Sequence, residues 1–500
     1  MSLLGIDIGT TGCKVAAFSE AGACLGLAYE EYAVQRPTAG YSELDAASVW
    51  EKTQRAIRQV AAKTRHDPIR AAAVSSLGEA VVLVTRDRRI LGASILNDDI
   101  RGKEFLSPIR ERFPNDVLYG ITGNTLGNHF TLTKLLWLKA HAPELFQAAD
   151  LFLPWSSFVP FMLGADSCVD YSLANRTLCF NVREEKWSDE ILDWAGIDTG
   201  KLPIPIPSGR AIGTIAPDMA DALDLPHDMV LVSGAHDQCA NAVGCGAVQE
   251  GRTMLGMGTY LCMAPLFRHP PSPELMIPRG LNTEHHAIGG LFVCFIYNQG
   301  GCLLKWYRDT FARAEHAEAQ RNGQDIYPLL LQEMPSGPSK TVVLPHFIST
   351  GPPDFITDSC GVMAGLHLAT SRGDILRGIL EGTVFYLRES LDALPATGIE
   401  VSDFRVVGGG SKSPLWVRLC ADILGRPCAT LTFPEAGVMG AAILAGAGCG
   451  AYATPLEGVN AMVSLDQRIE PNPTTHRQYD DRYDRYKRLW PLLRDYLQSL

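Results

Sequence analysis

The sequence predicts an α/β protein built of two similarly folded lobes that face each other across a cleft. The first observation is the length, because 500 residues favour two large domains over one. The second is an apolar strand at residues 3–8 that runs through a turn at 9–12 into another strand. The third is an echo of this strand, turn and strand at 252–265. We therefore place the domain boundary between residues 248 and 249, with one copy of the hairpin in each lobe.

The composition is that of an ordinary globular protein with an acidic balance. Hydrophobic residues make up 46% and charged residues 20% of the chain, and the net charge is −11. This charge does not attract nucleic acid or an anionic membrane, so neither is expected as a partner and an anionic cofactor must be bound locally. The N-terminus runs straight into a strand, and thirteen scattered cysteines favour reduced thiols over a disulfide framework or a zinc site. We expect a cytoplasmic protein.

The N-terminal turn has the chemistry of a phosphate-binding site. Backbone N–H groups and the hydroxyls of Thr10 and Thr11 can converge on phosphate oxygens, and Lys14 is near enough to add charge. A strand follows the turn, whereas Walker loops and dinucleotide fingerprints open a helix. Asp7 faces the same pocket in this interpretation and can hold a hydrated Mg²⁺. The alternative is that Asp7 only caps the turn.

The first half continues with alternating strands and helices. A helix is predicted at residues 46–63, because apolar residues recur at helical spacing after a capping Asp45. A strand at 71–75 leads into a loop that contains Gly78 and Glu79. The later elements expected before the boundary are helical segments over 103–165, an extended Pro-rich connector at 202–207, a strand at 229–233 and a helix at 239–247.

The second half places its glycine-rich turns in a comparable order. A strand from residue 252 ends in a Gly-x-Gly-Thr turn at Thr259, and a later strand at 404–407 opens into three glycines at 408–410. Bare backbone at such glycines lets a base or ribose lie close, and the helix predicted at 414–424 can hold polar groups at its N-terminus. A tight strand-to-helix turn is the alternative. A C-terminal helix is expected to use Tyr479, Tyr483, Tyr486 and Leu489 for packing.

Asp237 is the candidate catalytic residue. It follows a Val-Leu-Val strand at the start of the predicted helix, and ligands of open α/β sheets bind at the carboxyl ends of strands. Beside a phosphate cleft, a carboxylate there can accept the proton of a substrate hydroxyl that attacks a γ-phosphoryl group. The alternative is an N-cap aspartate. The phosphate-binding turns on either side of Asp237 in the sequence favour the general base.

Taken in order, these motifs resemble the FGGY family of sugar kinases, whose fold consists of two ribonuclease-H-like lobes of the actin-like ATPase superfamily. The resemblance extends over nearly the whole chain. It is carried by residues 7–11, 40–45 with Trp50, 97–101, 134–138, 170–175, 234–238, 256–259, 298–301 and 408–413, and by a second signature at 361–366, 374–375 and 379–382.

The resemblance implies an ATP-dependent kinase in which Asp237 is the catalytic base and Asp7 helps to hold Mg²⁺, through water. Residues 1–248 would bind the sugar and carry the base and the first phosphate turn, and residues 249–500 would carry the second phosphate turn and bind the nucleotide. The other implied roles are phosphate binding by Thr10, Thr11, Lys14 and Thr259, lining of the nucleotide pocket by Gly301, Gly409 and Gly410, and substrate binding by Gly78, Glu79, Asp99, Asp237 and Gln238.

The chain departs from the family patterns at several positions, and these departures bear on the identity of the substrate. Asn97 stands where a tryptophan is usual, and His129 breaks the first family signature. Glycerol kinases have Arg-Glu and xylulose kinases have Met-His where this chain has Gly78-Glu79. We expect phosphorylation of a primary hydroxyl of a ketopentose of the xylulose type. A polyol such as glycerol or erythritol and an aldonic acid are the alternatives within the class.

A non-enzymatic, nucleotide-gated switch of the actin-like superfamily is the alternative from another class. Retention of Asp237, Glu79 and Gln238 speaks against it. The expected partners are a small sugar or polyol and, as one option, a second copy of the chain in a homodimer. A metal site at residues 284–286 is not favoured, because adjacent side chains point apart on a strand.

Overall fold

The computed structural model describes residues 1–353 and 355–500. Its framework is a pair of six-stranded mixed sheets with helices packed on their faces. Within these residues, no helix is long and apolar enough to cross a membrane. All thirteen cysteines are free thiols.

The strands alternate with helices along the chain. In chain order they are β1 (Ser2–Ile8), β2 (Gly12–Ser19), β3 (Cys24–Glu31), β4 (Glu43–Leu44), β5 (Ile69–Ser76), β6 (Val81–Val84), β7 (Ile90–Leu91), β8 (Ser94–Ile95), β9 (Leu151–Pro154), β10 (Cys168–Asp170), β11 (Phe180–Asn181), β12 (Lys186–Trp187), β13 (Ile204–Ile206), β14 (Ala211–Thr214), β15 (Val230–His236), β16 (Gly251–Met257), β17 (Tyr260–Ala264), β18 (Leu266–Phe267), β19 (Glu284–His285), β20 (Phe292–Val293), β21 (Ile296–Gln299), β22 (Val342–Leu344), β23 (Val362–Ala364), β24 (Val401–Val407), β25 (Cys428–Leu431) and β26 (Leu465–Ile469).

The helices vary from single turns to the long α15. In chain order they are α1 (Ala46–Lys63), α2 (Leu106–Arg112), α3 (Asn115–Thr122), α4 (Thr131–His141), α5 (Pro143–Ala148), α6 (Trp155–Leu163), α7 (Tyr171–Asn175), α8 (Asp189–Ala195), α9 (Pro217–Leu223), α10 (Asp237–Gly244), α11 (Pro273–Met276), α12 (Gly301–Phe311), α13 (Arg313–Arg321), α14 (Ile326–Gln332), α15 (Arg372–Ala393), α16 (Pro414–Leu424), α17 (Ala436–Gly448), α18 (Pro455–Met462), α19 (Pro473–Tyr486) and α20 (Leu489–Leu497).

The first sheet has the strand order β14-β15-β5-β1-β2-β3. β1 and β2 form the antiparallel hairpin that the sequence predicts, whereas β1, β5 and β15 run parallel. β5 is almost entirely buried, and a strand covered on both faces reads as a continuous run of small and apolar residues. Because Ile8, Ser76 and His236 are in register, the three parallel strands end in one row.

The second sheet repeats the first. Read in the corresponding direction, its order is β26-β25-β24-β16-β17-β21. β16 pairs antiparallel with β17 and parallel with β24, as β1 does with β2 and β5. β24 in turn pairs parallel with β25, and β25 pairs antiparallel with β26. The duplicated hairpin predicted from the sequence is therefore part of a duplicated sheet, which confirms the α/β fold of two similar lobes.

Helices α10 and α17 join the two halves by close backbone contact. A Cβ atom added to Gly440 would lie 1.9 Å from the carbonyl oxygen of Ala240, and one added to Gly244 would lie 1.9 Å from that of Ala436. A Cβ on Gly5 of β1 would lie 1.8 Å from the carbonyl oxygen of Val438. Only glycine permits such approaches, so α17 from the second half of the chain lies directly on the first sheet.

A small sheet of β18, β19 and β20 forms a second bridge between the halves. The amide of Thr283 donates to the carbonyl of Gly123 at 2.7 Å, and the amide of His285 donates to Oδ1 of Asn175 at 2.9 Å. The hydroxyl of Tyr119 also donates to a carbonyl of this segment. Residues 281–285 are therefore fastened to the first half although they follow it in the chain.

Two predicted helices differ from the structure. The helix predicted at 239–247 begins at Asp237 and ends at Gly244, because Gly246 adopts a φ of 76° that no longer fits a helix. The single C-terminal helix is divided into α19 and α20. The predicted packing of the tyrosines of α19 is confirmed, since the rings of Tyr479, Tyr483 and Tyr486 all contact Phe385.

Candidate active site

The carboxyl edge of the first sheet brings several predicted side chains together. Asp7 lies one residue before the end of β1, and Glu79 lies in the loop that follows β5. Asp237 is the first residue of α10, directly after β15. Because these three strands are parallel neighbours that end in one row, three carboxylates distant in sequence meet at one edge.

Asp237 has the environment of a general base. The amide nitrogen of Gln238 donates to Oδ1 at 3.1 Å, and Nε2 of His236 lies 3.1 Å from the same oxygen. These side-chain contacts leave Oδ2 as the oxygen that can accept a proton. Burial raises the pKa of Asp237 to about 7, the charge of Asp7 adds to the rise, and the hydrogen bond from Gln238 opposes it. A carboxyl group with such a pKa can exchange a proton near neutral pH.

Asp7 lies beside Asp237, and a neighbouring strand of the same sheet holds its side chain. The hydroxyl of Ser75, its register partner on β5, donates to Oδ1 at 2.6 Å. Burial raises the pKa of Asp7, and the Ser75 hydrogen bond and the charge of Lys14 oppose this rise. A Cβ added to Gly437 would lie 3.1 Å from Oδ2, so the second half of the chain approaches this carboxylate with bare backbone.

The donor set around Asp7 fits Mg²⁺ held partly by water and phosphate. Mg²⁺ is commonly bound in kinases through one or two carboxylates together with substrate phosphates, without an all-protein cage. Within residues 1–353 and 355–500, no group of three His, Cys, Asp or Glu side chains is placed to hold a metal ion. One carboxylate beside a predicted phosphate turn is compatible with this chemistry.

Both phosphate turns present their threonines to solvent. In the first turn the amide of Gly9 donates to the carbonyl of Gly12 at 3.0 Å, which closes the hairpin and leaves Thr10 and Thr11 exposed. In the second the amide of Gly258 donates to the carbonyl of Tyr260 at 3.1 Å, and Thr259 is exposed. The hydroxyls of both turns are free to meet an anion.

The three glycines predicted to line the nucleotide pocket have different surroundings. A Cβ added to Gly409 would meet no described atom within 4 Å, so this glycine borders open space. At Gly410 a Cβ would lie 2.8 Å from that of Met257 and 2.9 Å from the Trp416 ring. At Gly301 it would lie 2.7 Å from the carbonyl oxygen of Gly258. Packing thus accounts for glycine at two positions, and Gly409 alone faces a space that a ligand can occupy.

The loop of Gly78 and Glu79 carries a buried ion pair. Glu79 is 5% exposed, adopts a left-handed φ of 62°, and pairs with the Arg176 guanidinium. Residues other than glycine rarely adopt this backbone conformation, and those that do are often found at functional sites. Burial raises the pKa of Glu79, and Arg176 opposes the rise. The amide of Asn97 lies 3.5 Å from the Glu79 carboxylate, so the departure from tryptophan noted in the sequence falls at this loop.

Asp99, which is predicted to contact the substrate, accepts several hydrogen bonds from neighbouring residues. Its side chain is fully buried, and both oxygens accept hydrogen bonds from the Arg101 guanidinium. The amides of Ser42 and Arg101 donate to the same carboxylate at 2.6 and 2.8 Å. With its oxygens occupied in this way, Asp99 organises the loop around Arg101.

Sequence reasoning missed three charged residues near the site. Arg176 directly follows a family motif at 170–175, and Glu284 was considered only as a metal ligand. Glu435 precedes α17 and pairs with Lys14 of the first phosphate turn. Each partner is distant in sequence, so no local pattern marks these residues. The nearest signal was the proximity of Arg176 to a recognised motif.

Comparison with known proteins settles the family. Residues 2–244 match the N-terminal domain of the FGGY family of carbohydrate kinases, and residues 290–449 match its C-terminal domain. The chain belongs to the FGGY family of carbohydrate kinases. As a member of this family, it is a carbohydrate kinase that uses ATP.

Curated relatives and a solved structure align with this FGGY kinase over its length. A xylulose kinase of Bacillus subtilis (strain 168) is 26% identical, over 99% of this chain and 97% of the relative. A gluconokinase of Bacillus licheniformis is 25% identical, over 95% and 93%. The crystal structure of xylulose kinase from Rhodospirillum rubrum is 24% identical and superposes with a TM-score of 0.88, over 99% of this chain and 100% of that one. The fold of this FGGY kinase is therefore the two-domain sugar kinase fold of the actin-like ATPase type.

Proposed function

We propose that this FGGY kinase transfers the γ-phosphoryl group of ATP to a primary hydroxyl of a ketopentose of the xylulose type. The observation that carries the proposal is the position of Asp237, at a sheet edge shared with a phosphate turn and with a second carboxylate. Relatives named xylulose kinase support the choice of sugar.

In the proposed reaction, Asp237 removes the proton of the substrate hydroxyl. As Oδ2 accepts this proton, the substrate oxygen forms a bond to the γ-phosphorus of ATP, and the bond from that phosphorus to the β,γ-bridging oxygen breaks. Gln238 and His236 hold Oδ1 and so fix the orientation of the carboxylate. ADP leaves with the negative charge that the bridging oxygen acquires.

We also propose which residues hold the nucleotide. Asp7 would hold Mg²⁺ through water, and the bound ion would offset phosphate charge. Residues 1–248 would bind the sugar, and residues 249–500 the nucleotide. The other proposed contacts are Thr10, Thr11, Lys14 and Thr259 with phosphates, Gly301, Gly409 and Gly410 with the nucleoside, and Gly78, Glu79 and Gln238 with the sugar. A cytoplasmic location and a homodimer stay predictions.

A substrate panel tests the proposal. Coupled detection of ADP with D-xylulose, glycerol, erythritol and D-gluconate is expected to give the highest kcat/KM for D-xylulose, with the Asp237→Asn variant as the inactive control. A clear preference for glycerol or erythritol would replace the ketopentose with a polyol. Absence of sugar-stimulated ADP release with every compound would contradict the kinase proposal and favour a nucleotide-gated switch.

A further inference from the structure

Three charged side chains from different parts of the chain form a buried cluster beside Asp237. Arg176, which follows α7, pairs through Nη2 with Glu79 and through Nη1 with Glu284 at 2.6 Å. Glu284 belongs to β19 in the bridging sheet. The side chains of Arg176, Glu79 and Glu284 are 14%, 4% and 1% exposed. Arg176 therefore joins the loop of Gly78 and Glu79 in the first half to a strand that follows it in the chain.

Three polar atoms of this neighbourhood lack hydrogen-bond partners among the described residues. They are Nε of Arg176, Oε2 of Glu284 and Nδ1 of His236. A Cβ added to Gly78 would lie 3.1 Å from Nε2 of His236 and 3.4 Å from Cγ of Arg176, so these two side chains flank the same glycine. Buried polar atoms are nearly always paired, so these three atoms call for a further partner, which a ligand at the active site can supply.

We propose that Arg176 and Glu284 are specificity-determining residues, which bind hydroxyl groups of the sugar away from the reacting carbon and reject an acidic substrate. The inference rests on the proposed kinase function and deepens it. It assigns the recognition of the sugar to residues that no motif of the family marked in the sequence.

The chemistry of the unpaired atoms selects a hydroxyl. Nε of Arg176 can only donate, whereas Oε2 of an ionised Glu284 can only accept. A sugar hydroxyl can accept from the first and donate to the second at the same time. An ionised carboxylate has no proton to donate to Glu284, so it would leave that oxygen unpaired.

The charge of the cluster also favours an uncharged substrate over an acidic one. Arg176 supplies one positive charge against the carboxylates of Glu79 and Glu284, and Asp7 and Asp237 add further acidic groups to the same edge. Burial and the charge of Arg176 hold the pKa of His236 well below its usual range, so this imidazole is neutral. The cluster therefore sets two carboxyl groups against one guanidinium, which disfavours the carboxylate of an aldonate and leaves an uncharged ketose or polyol unaffected.

Glu284 lies between the two family domains in the sequence. Residues 245–289 lie between the two segments that match the family domains, and Glu284 is within this interval. The segment is nevertheless fastened to the first half by Thr283 and His285. The segment therefore brings Glu284 to Arg176, which also pairs with Glu79 of the first half.

Two variants and a matched control test the inference. Arg176→Gln is expected to weaken calorimetric binding of D-xylulose about 10-fold to 100-fold, with the KM for ATP within about 2-fold of wild type. Glu284→Gln keeps the shape of the side chain and is expected to lower the preference for D-xylulose over D-gluconate about 10-fold. The control is Arg377→Gln, which removes an arginine that is 12% exposed and paired with Glu381 in the second half. It should lower the melting temperature and leave sugar binding and preference unchanged.

The outcomes separate the inference from the function on which it rests. If wild type phosphorylates D-xylulose but neither variant changes sugar affinity or preference, the inference is wrong and the kinase proposal stands. If wild type turns over no compound, the kinase proposal fails, and calorimetry with D-xylulose and D-gluconate still decides the inference. If Arg176→Gln does not fold, Glu284→Gln carries the test alone. A wild-type preference for D-gluconate would overturn the inference.

Discussion

Lys14 is ion-paired with Glu435, the Nζ atom lying 2.7 Å from a carboxylate oxygen. Lys14 belongs to β2, directly after the first phosphate turn, and Glu435 immediately precedes α17. Burial lowers the pKa of Lys14, but Glu435, Asp7 and Tyr29 together outweigh this effect and raise the pKa overall. The residue expected to bind phosphate is thus ion-paired with the other half of the chain.

Replacement of Lys14 by methionine should affect nucleotide binding more than stability. The pair is partly exposed, at 38% and 28%, and such pairs contribute at most about 1 kcal/mol. The KM for ATP should rise about 10-fold, because a charge-assisted contact with phosphate is lost. Steady-state kinetics and thermal unfolding give the two quantities. A KM for ATP equal to that of wild type would remove Lys14 from the phosphate site.

Replacement of Asp237 by asparagine should abolish most turnover. General-base catalysis contributes about 10²-fold to 10⁴-fold, and an amide cannot accept the proton. ATP should still bind, since Asp237 is proposed to contact the sugar hydroxyl. Turnover is measured by ADP release and ATP affinity by calorimetry. Near wild-type turnover of the variant would refute the assignment of the base.

The activity should rise with pH through the pKa of Asp237. The base must be ionised, so kcat/KM for the sugar is expected to increase up to about pH 7 and then level off. A profile flat from pH 5 to pH 8 would contradict this role.

Asp237 makes the stability of the protein fall with rising pH, whereas it makes the activity rise. Its folded-state pKa of about 7 lies above the ordinary value of 3.8, so the folded protein binds a proton that the unfolded chain has already lost. The contribution is complete below pH 3.8 and is lost as the pH rises through about 7. Asp237→Asn should therefore raise the melting temperature at pH 8 and change it little at pH 4.

Alanine at two glycines should separate packing from nucleotide binding. At Gly440 the added Cβ would lie 1.9 Å from the carbonyl oxygen of Ala240. The clash should cost about 1–3 kcal/mol, more than the 0.5–1 kcal/mol or so that alanine contributes inside a helix. At Gly409 no described atom lies within 4 Å of the added Cβ, so stability should be unchanged while the KM for ATP rises. Equal melting temperatures for the two variants would contradict the close packing of α10 and α17.

Local patterns in the sequence were enough to predict the hairpins and several helices. The observed bounds of α1 and α16 equal those predicted, since a capping residue and helical spacing of apolar residues are properties of neighbours along the chain. The position of Asp237 at the end of a strand was predictable for the same reason. The contact between Asp99 and Ser42 was not predictable, because it depends on how the chain folds back over 57 residues.

The sequence by itself determined the duplicated α/β lobes, the two glycine-rich turns and the position of the candidate base, because each depends on a short run of residues whose periodicity or turn chemistry acts locally. Only the tertiary structure decided which charges meet. Arg176 reaches Glu79 and Glu284 across 97 and 108 residues, and Lys14 reaches Glu435 from the other half of the chain. Such contacts arise from the parallel register of β1, β5 and β15 and from the packing of α17 and the bridging sheet against the first half. These long-range arrangements lie at the carboxyl edge of the first sheet, where the proposed function places the sugar.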